Sequence, residues 1–211
     1  MAFWTEYGFR VKPLINANRN QILSALSGFR TSLAERDSFL IYYAGHGMRD
    51  EDIQRGYWLP IDAEEKNPAN WLSTTDIIDQ VNGMRALHVL VVADSCFSAT
   101  LLRSFSRFER GNDQSNPDRH ALIRRLAKKR SRTVLTSGGN EPVLDSGGGQ
   151  HSVFAKAFLN TLRENQGIME GTKLFQKLRQ LVVDNADQTP EYAPVHKAGH
   201  EGGDFIFIRR P

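Results

Sequence analysis

Two residues with the chemistry of a nucleophile and a base follow two apolar stretches of the chain. Cys96 is the only cysteine and comes two residues after the run 88–94, and His46 comes shortly after the run 38–43. An ordinary thiol, with a pKa of about 8.5, is only a few per cent thiolate at neutral pH. A neighbouring imidazole can stabilise the thiolate and then give its proton to a leaving amine. Because most free cysteines are small buried hydrophobes, the interpretation of Cys96 depends on where His46 lies.

Both stretches are predicted to be buried parallel strands, since their apolar residues are continuous rather than alternating. Reacting groups in open α/β sheets lie just beyond the carboxyl ends of such strands. We therefore expect Cys96 and His46 to emerge at the same edge of the sheet. The backbone N–H groups of Gly47 and Cys96 are candidates for an oxyanion hole. Two reactive residues at two strand ends favour catalysis over a structural role for either.

The remaining pattern predicts an α/β layer architecture with a mainly parallel sheet, because strands alternate with helices. Strands are expected over residues 9–15, 57–60, 133–136 and 204–208. Helices are expected to begin at four capping residues: Asn18, with Gln21 completing a capping box, Ser73 or Thr74, Ser152 and Thr172. The helix that begins at Ser73 or Thr74 is expected to end near Gly83.

Size and composition are those of one soluble globular domain spanning residues 1–211. A net charge of +3 is too small to imply nucleic acid. One cysteine excludes an internal disulfide framework, and no signal peptide or membrane-spanning run is present, so the cytoplasm is the expected location. Residues 103–132 are expected to be a flexible polar insertion whose basic run, 124–132, is a solvated helix face or linker.

Several blocks of the sequence resemble those of caspase-like cysteine peptidases. The resemblance rests on residues 42–47, Tyr-Tyr-Ala-Gly-His-Gly, and 91–98, Val-Val-Ala-Asp-Ser-Cys-Phe-Ser, with 50 residues between His46 and Cys96. Caspases proper have Gln-Ala-Cys where this chain has Asp94-Ser95-Cys96. That form is similar to metacaspases and their bacterial relatives, the orthocaspases. Residues 57–62, 136–142 and 198–205 also look like the bacterial branch.

The resemblance implies a three-layer α/β sandwich in which Cys96 is the nucleophile and His46 the general base and acid. It also implies cleavage after Arg or Lys, with Asp94, Asp76 and Glu141 as pocket carboxylates and Ser137 on the pocket wall. A guanidinium presents a planar fork of donors that suits carboxylates. Asp76 has an alternative interpretation as an acid in the first turn of a helix, and Glu141 as an ordinary loop charge.

Two departures from the family pattern leave alternatives open. The family's domain normally begins with a strand and helix before the segment matching residues 9–15, and we expect this chain to lack them; Ala99 also replaces a usual glycine. The sequence therefore predicts a cysteine endopeptidase, or a catalytically impaired pseudoprotease that acts as an interaction module.

The basic run 124–132 is also a candidate self-cleavage site or, more remotely, a nucleic-acid contact. No cofactor is expected, and no compact calcium-ligand motif supports calcium activation. Proteins or peptides are the expected partners, without a membrane.

Overall fold

The computed structural model describes residues 6–95, 119–138 and 151–210, which form an α/β structure. Its strands are β1 Ser38–Ala44, β2 Gly47–Asp50, β3 Arg55–Trp58, β4 Leu72–Ser73, β5 His88–Asp94, β6 Ser131–Thr136, β7 Ile168–Glu170, β8 Glu191–Pro194 and β9 Ile206–Ile208. Its helices are α1 Arg19–Ser32, α2 Thr74–Gly83, α3 Arg119–Ala127, α4 Val153–Arg163 and α5 Gly171–Val183.

A four-stranded sheet in the order β1-β5-β6-β8 forms the centre of the fold. Strands β1, β5 and β6 are parallel, and β8 is antiparallel to β6. Every residue of β5 is buried, as its continuous apolar run predicts, and every residue of the more polar β6 is buried as well. The predicted α/β class with a mainly parallel sheet is confirmed. Within the described residues, the outer edge of β1 has no partner strand.

Helices cover both faces of this sheet, which gives the expected three layers. Val89, Val91 and Ala93 of β5 belong to the cluster packed against α1 and α2. Leu90 and Val92 face the other way, into the cluster formed with α4 and α5. Because side chains alternate along a strand, this division fixes the face on which Asp94, the last residue of β5, projects.

Two smaller sheets complete the described structure. Strands β2, β3 and β4 form an antiparallel sheet that follows directly after His46. Strands β7 and β9 pair antiparallel on the α4–α5 side of the molecule. None of the helices formed by the described residues is long and apolar enough to span a bilayer.

The helix starts were mostly predicted correctly. Asn18 and Gln21 form the capping box of α1, Ser73 caps α2 and Ser152 caps α4. Thr172 was wrong as a cap, because α5 begins at Gly171 and is preceded by Glu170. Thr172 instead donates its N–H and hydroxyl to Asp204 at 2.9 and 2.7 Å.

Two other expectations differ from the structure. Residues 9–15 are not a strand: residues 10–16 are exposed, Phe9 stacks on Phe205 and Lys12 lies over the ring of Phe29. Within the expected insertion 103–132, helix α3 occupies Arg119–Ala127 and β6 begins at Ser131. The rest of that insertion, residues 103–118, lies outside the described residues.

The basic run 124–132 divides into two parts. Arg124, Arg125, Lys128 and Lys129 are exposed, as a solvated face predicts. Arg132 is fully buried in β6, where its five N–H groups donate to the carbonyls of Val81, Met84, Ala86, Leu87 and Ser131. A buried guanidinium satisfied in this way is a structural element, so the end of the run is not an accessible cleavage site.

Candidate active site

His46 lies at the carboxyl end of β1, where the chain turns into the β2–β3 hairpin. The parallel register pairs Ala44 with Asp94, and the N–H of Gly45 donates to the Asp94 carbonyl at 3.4 Å. The two strand ends are therefore hydrogen-bonded to each other just before His46. The residue is exposed, so its imidazole is accessible from solvent, as a catalytic base requires.

The backbone of His46 is held by two donors on its carbonyl oxygen. The N–H of Leu59 donates to it at 2.9 Å, and the Tyr43 hydroxyl donates to it at 2.7 Å. The Tyr43 ring stacks on Trp58 with a centroid distance of 4.0 Å. Burial raises the pKa of Tyr43 to about 12, so the phenol stays protonated and remains a donor. A side chain at Gly45 would collide with this ring, since a Cβ there would lie 2.7 Å from the Tyr43 hydroxyl oxygen.

The N–H of Gly47 is directed away from strand β3. Gly47 faces Trp58 in the antiparallel β2–β3 pair, and the bond from Leu59 to the carbonyl of His46 makes this a non-hydrogen-bonded pair. In such a pair, the N–H groups of the two facing residues point outward from the ladder. The Gly47 N–H is therefore not used in the β2–β3 ladder.

Asp94 is buried at the end of β5, on the face covered by α4 and α5. Its carboxylate oxygen Oδ2 accepts the hydroxyl of Tyr42 at 3.2 Å and that of Ser152 at 2.5 Å. Ser152 is the N-cap of α4 and accepts the Ala155 N–H at 2.9 Å. A carboxylate beside a helix N-terminus is also favoured by the helix dipole.

Ser137 is next to Asp94 across the β5–β6 pair. Its N–H donates to the carbonyl of Ala93 at 3.0 Å, which extends the ladder by one residue beyond Thr136. Continued alternation along β6 puts Ser137 on the same side as Leu135, the α4–α5 face, and it is fully buried. The structure thus brings Asp94 and Ser137 together, with His46 at the same edge of the sheet.

Asp76 is not brought to this group. It lies in the first turn of α2, which packs on the opposite face of the sheet from the Asp94 side chain, and it pairs with Arg19 at 3.5 Å. Its interpretation as a first-turn acid fits this position, and we leave it out of the proposed pocket. Cys96 and Glu141 lie outside the described residues; Cys96 is one residue beyond Ser95, which is buried.

Three tyrosine and serine side chains of the site were missed from the sequence. Tyr42, Tyr43 and Ser152 were assigned only to a strand or a helix cap. Asp94, the partner of Tyr42 and Ser152, is 52 residues from Tyr42 and 58 from Ser152 in the sequence. Leu59, a partner of Tyr43, is 16 residues from it. Because adjacent side chains of a strand project to opposite faces of the sheet, the sequence could have predicted only that Tyr42 and Tyr43 have different partners.

At the carboxyl edge of the parallel sheet, the described residues thus include an exposed imidazole, a backbone N–H outside the β2–β3 ladder and a buried carboxylate. Groups of these types can serve in acyl transfer when a nucleophile is beside them. No group of His, Cys, Asp and Glu within the described ranges could hold a metal ion. These features define an α/β protein with its candidate active site at the ends of β1 and β5.

Comparison with known proteins identifies the family. A family model described as the caspase domain matches residues 2–198, so the chain belongs to the caspase-domain family. A search of curated proteins found no significant match. A solved protein of Geobacter sulfurreducens is 20% identical, with a TM-score of 0.56 over 95% of this chain and 84% of that one. Caspase-1 of Spodoptera frugiperda is 12% identical, with a TM-score of 0.59 over 92% of this chain and 74% of its own.

At these identities the two solved structures show a shared fold. Membership in the caspase-domain family indicates a cysteine peptidase whose substrates are proteins or peptides.

Proposed function

We propose that this chain is a cysteine endopeptidase of the metacaspase or orthocaspase type that cleaves after Arg or Lys. Cys96 is the nucleophile, and His46 is the general base and acid. The thiolate attacks the scissile carbonyl carbon and the C–N bond breaks, with the leaving amine taking its proton from His46. Water then hydrolyses the thioester, which restores the thiol and completes the reaction.

The parallel register of β1 with β5 is the observation that carries this proposal. Ala44 and Asp94 form the last pair of the β1–β5 register. In the sequence, His46 comes two residues after Ala44, and Cys96 comes two residues after Asp94. Cys96 follows directly after Ser95, the last described residue of this segment. The outward N–H of Gly47 supports an oxyanion hole shared with the N–H of Cys96.

The preference for basic residues is supported by the acidic character of the α4–α5 side of this edge. Asp94 supplies a buried carboxylate there, and Ser137 lies beside it. At an effective dielectric of about 20, a charge pair at 4 Å gains about 4 kcal/mol before desolvation. Glu141, one more acid of the predicted pocket, remains a candidate third member because it follows β6 in sequence.

The proposal is tested with fluorogenic peptides ending in Arg, Lys or Asp, given to the purified protein with and without calcium. Cleavage is expected after Arg and Lys, and Cys96→Ala should lower it by at least about 1,000-fold. Asp94→Asn should lower kcat/KM for the basic peptides by roughly 100-fold, because the carboxylate charge is lost. Asp79→Asn, at an exposed position of α2, is the matched control and should leave cleavage unchanged.

Each result has a defined meaning. A folded wild-type protein without Cys96-dependent cleavage would contradict the peptidase and favour an interaction module. Cleavage that prefers Asp to Arg would retain the peptidase and remove Asp94 as the specificity residue.

A further inference from the structure

The Asp94 carboxylate is held from two sides by hydroxyl groups that belong to different elements. Tyr42 comes from β1 and Ser152 from the start of α4, and both donate to the same oxygen, Oδ2. Two donors on one carboxylate oxygen oppose rotation of the group about its Cβ–Cγ bond. The positions of β1 and α4 therefore contribute to the orientation of the carboxylate.

The direction of each hydrogen bond follows from the surroundings. Ser152 Oγ already accepts the N–H of Ala155, so its own proton is directed to Asp94. The Tyr42 phenol has a raised pKa, first because it is buried and second because of the Asp94 charge, and it stays a donor. Its ring packs against Phe158 of α4 at a centroid distance of 5.9 Å, which limits its movement.

We infer that Tyr42 and Ser152 are positioning residues that orient the Asp94 carboxylate for a planar guanidinium, and so set a preference for Arg over Lys. This inference rests on the proposed function, in which Asp94 lines the specificity pocket. A guanidinium binds a carboxylate through two parallel hydrogen bonds, which require a fixed carboxylate plane. An ammonium group is a compact charge with three rotatable donors and tolerates rotation of its partner.

Arg and Lys peptides can therefore distinguish an orienting role of the two hydroxyls from a role in folding stability alone. Loss of either hydroxyl removes one restraint on the orientation of the carboxylate while its charge remains. Arg peptides should lose more than Lys peptides, whereas a variant that is merely less folded should lose both in proportion. The ratio of kcat/KM for Arg to that for Lys is the quantity that distinguishes the two.

The experiment compares Tyr42→Phe and Ser152→Ala with wild type on matched Arg and Lys peptides. We expect kcat/KM to fall about tenfold for Arg and less than about threefold for Lys, mainly through KM, since one charge-assisted hydrogen bond is lost. Ser152→Thr keeps both the cap and the hydroxyl and should restore the Arg preference.

Two control variants lose the same kinds of interaction elsewhere. Ser73→Ala removes the N-cap hydrogen bond of α2, and Tyr7→Phe removes a buried phenol donor to the Leu162 carbonyl. Both should keep the wild-type ratio of Arg to Lys cleavage. A change of that ratio in the controls, equal to the change in Tyr42→Phe and Ser152→Ala, would overturn the inference.

A binding assay makes failure of the inference distinguishable from failure of the proposed function. Arginine amide and lysine amide are titrated calorimetrically into Cys96→Ala protein, alone or combined with Tyr42→Phe or Ser152→Ala. Tighter binding of arginine amide that both added substitutions abolish supports the inference even if wild type cleaves nothing. Wild-type Arg preference in both variants, in cleavage and in binding, overturns the inference and leaves the peptidase standing.

Discussion

At the scale of single residues, the least expected feature of the site is how the backbone of His46 is fixed. Its carbonyl accepts a phenol from Tyr43 and an N–H from Leu59, and the phenol also reaches the Leu59 carbonyl at 3.3 Å. The Tyr43 hydroxyl thus joins His46, two residues after β1, to Leu59, the residue after β3. The position of the imidazole depends on this connection, because the side chain itself is exposed.

Tyr43→Phe is predicted to lower kcat with a modest loss of stability. The ring and its stacking on Trp58 remain, so only hydrogen bonds are lost, which costs about 1 kcal/mol of unfolding free energy. A less firmly held His46 should lower kcat by about tenfold, because proton transfer requires close geometry. Steady-state kinetics and urea unfolding measure the two effects.

Tyr7→Phe is the matched control for this prediction, since it also removes a buried phenol donor to a backbone carbonyl. It should lose at least as much stability, because the Asn165 amide also loses the Tyr7 hydroxyl as an acceptor, and it should keep the wild-type kcat. Equal losses of kcat in both variants would show that Tyr43 acts through general stability alone.

The sequence predicted single site residues where the local pattern is sufficient. The continuous apolar runs predicted the two strands, and β1 and β5 pair in parallel so that His46 and Asp94 lie at one sheet edge. The role of Asp94 in a pocket came only from the family resemblance and stays a prediction. Tyr42 and Ser152 could not be assigned to Asp94, because their contacts depend on how far β1 and α4 are from β5 after folding. Asp76 was assigned to the same pocket as Asp94 only through the family resemblance. In the structure Asp76 lies on α2, which packs on the face of the sheet opposite to the Asp94 side chain.

At the scale of elements, Arg132 joins the end of α2 to the start of the central sheet. Its guanidinium donates to Val81 in the last turn of α2 and to Met84, Ala86 and Leu87 in the connection to β5. Carbonyls at the end of a helix need external donors. Burial lowers the pKa of Arg132 to about 10, with a further contribution from Arg130, so the side chain is still charged at neutral pH.

Arg132→Met is predicted to be strongly destabilising. Several buried carbonyls would lose their donors, and the expected fall in unfolding free energy is roughly 3 kcal/mol or more. Amide hydrogen exchange should increase first in the last turn of α2, near Val81. Arg132→Lys should recover only part of the loss, since an ammonium has three donors on a flexible stem.

Arg124→Met, on the exposed side of α3, is the control and should change the unfolding free energy by less than about 0.5 kcal/mol. If Arg132→Met were equally mild, the carbonyls would have other donors, and the role given to the guanidinium would be wrong.

The elements that were not predicted correctly depend on contacts between residues that are far apart in the sequence. The N-terminus of α5 is satisfied by Asp204, 32 residues from Thr172, so local capping rules chose the wrong residue. Residues 9–15 contain enough apolar residues for a strand, but Pro13 lacks an N–H donor and residues 10–16 face solvent. Strand β8 was not predicted, because it is short and ends in Pro194. It is defined by its pairing with β6, which the local sequence does not show.

At the scale of the whole molecule, a buried histidine, His88, and a partly buried one, His200, make the unfolding free energy depend on pH. His88 begins β5 and is 5% exposed, and His200 accepts the N–H of Arg132 at 3.1 Å through Nδ1. Burial lowers the pKa of both imidazoles; Asp204 opposes the shift for each, and Arg132 adds to it. Protonation of His200 at Nδ1 would also remove the acceptor that the Arg132 N–H uses.

The unfolding free energy is therefore predicted to fall as the pH drops below about 6.5, the pKa of an unperturbed histidine. Because both pKa values are lower in the folded chain, the unfolded chain binds more protons in this range, and acid favours unfolding. The stabilisation is fully present above the unfolded pKa. Urea unfolding at pH 7.5, 6.5 and 5.5 measures the slope.

His88→Gln should flatten that slope by removing one of the two imidazoles whose pKa is lowered, whatever it does to stability at pH 7.5. His120→Gln, exposed on α3, is the control position and should leave the slope as in wild type. Stability that rises between pH 7.5 and 5.5 would mean that the folded chain takes up the protons, and that Asp204 outweighs burial at His88 and His200. The sign of the slope thus shows whether desolvation or the attraction of nearby carboxylates, Asp204 above all, dominates the pKa of these two imidazoles.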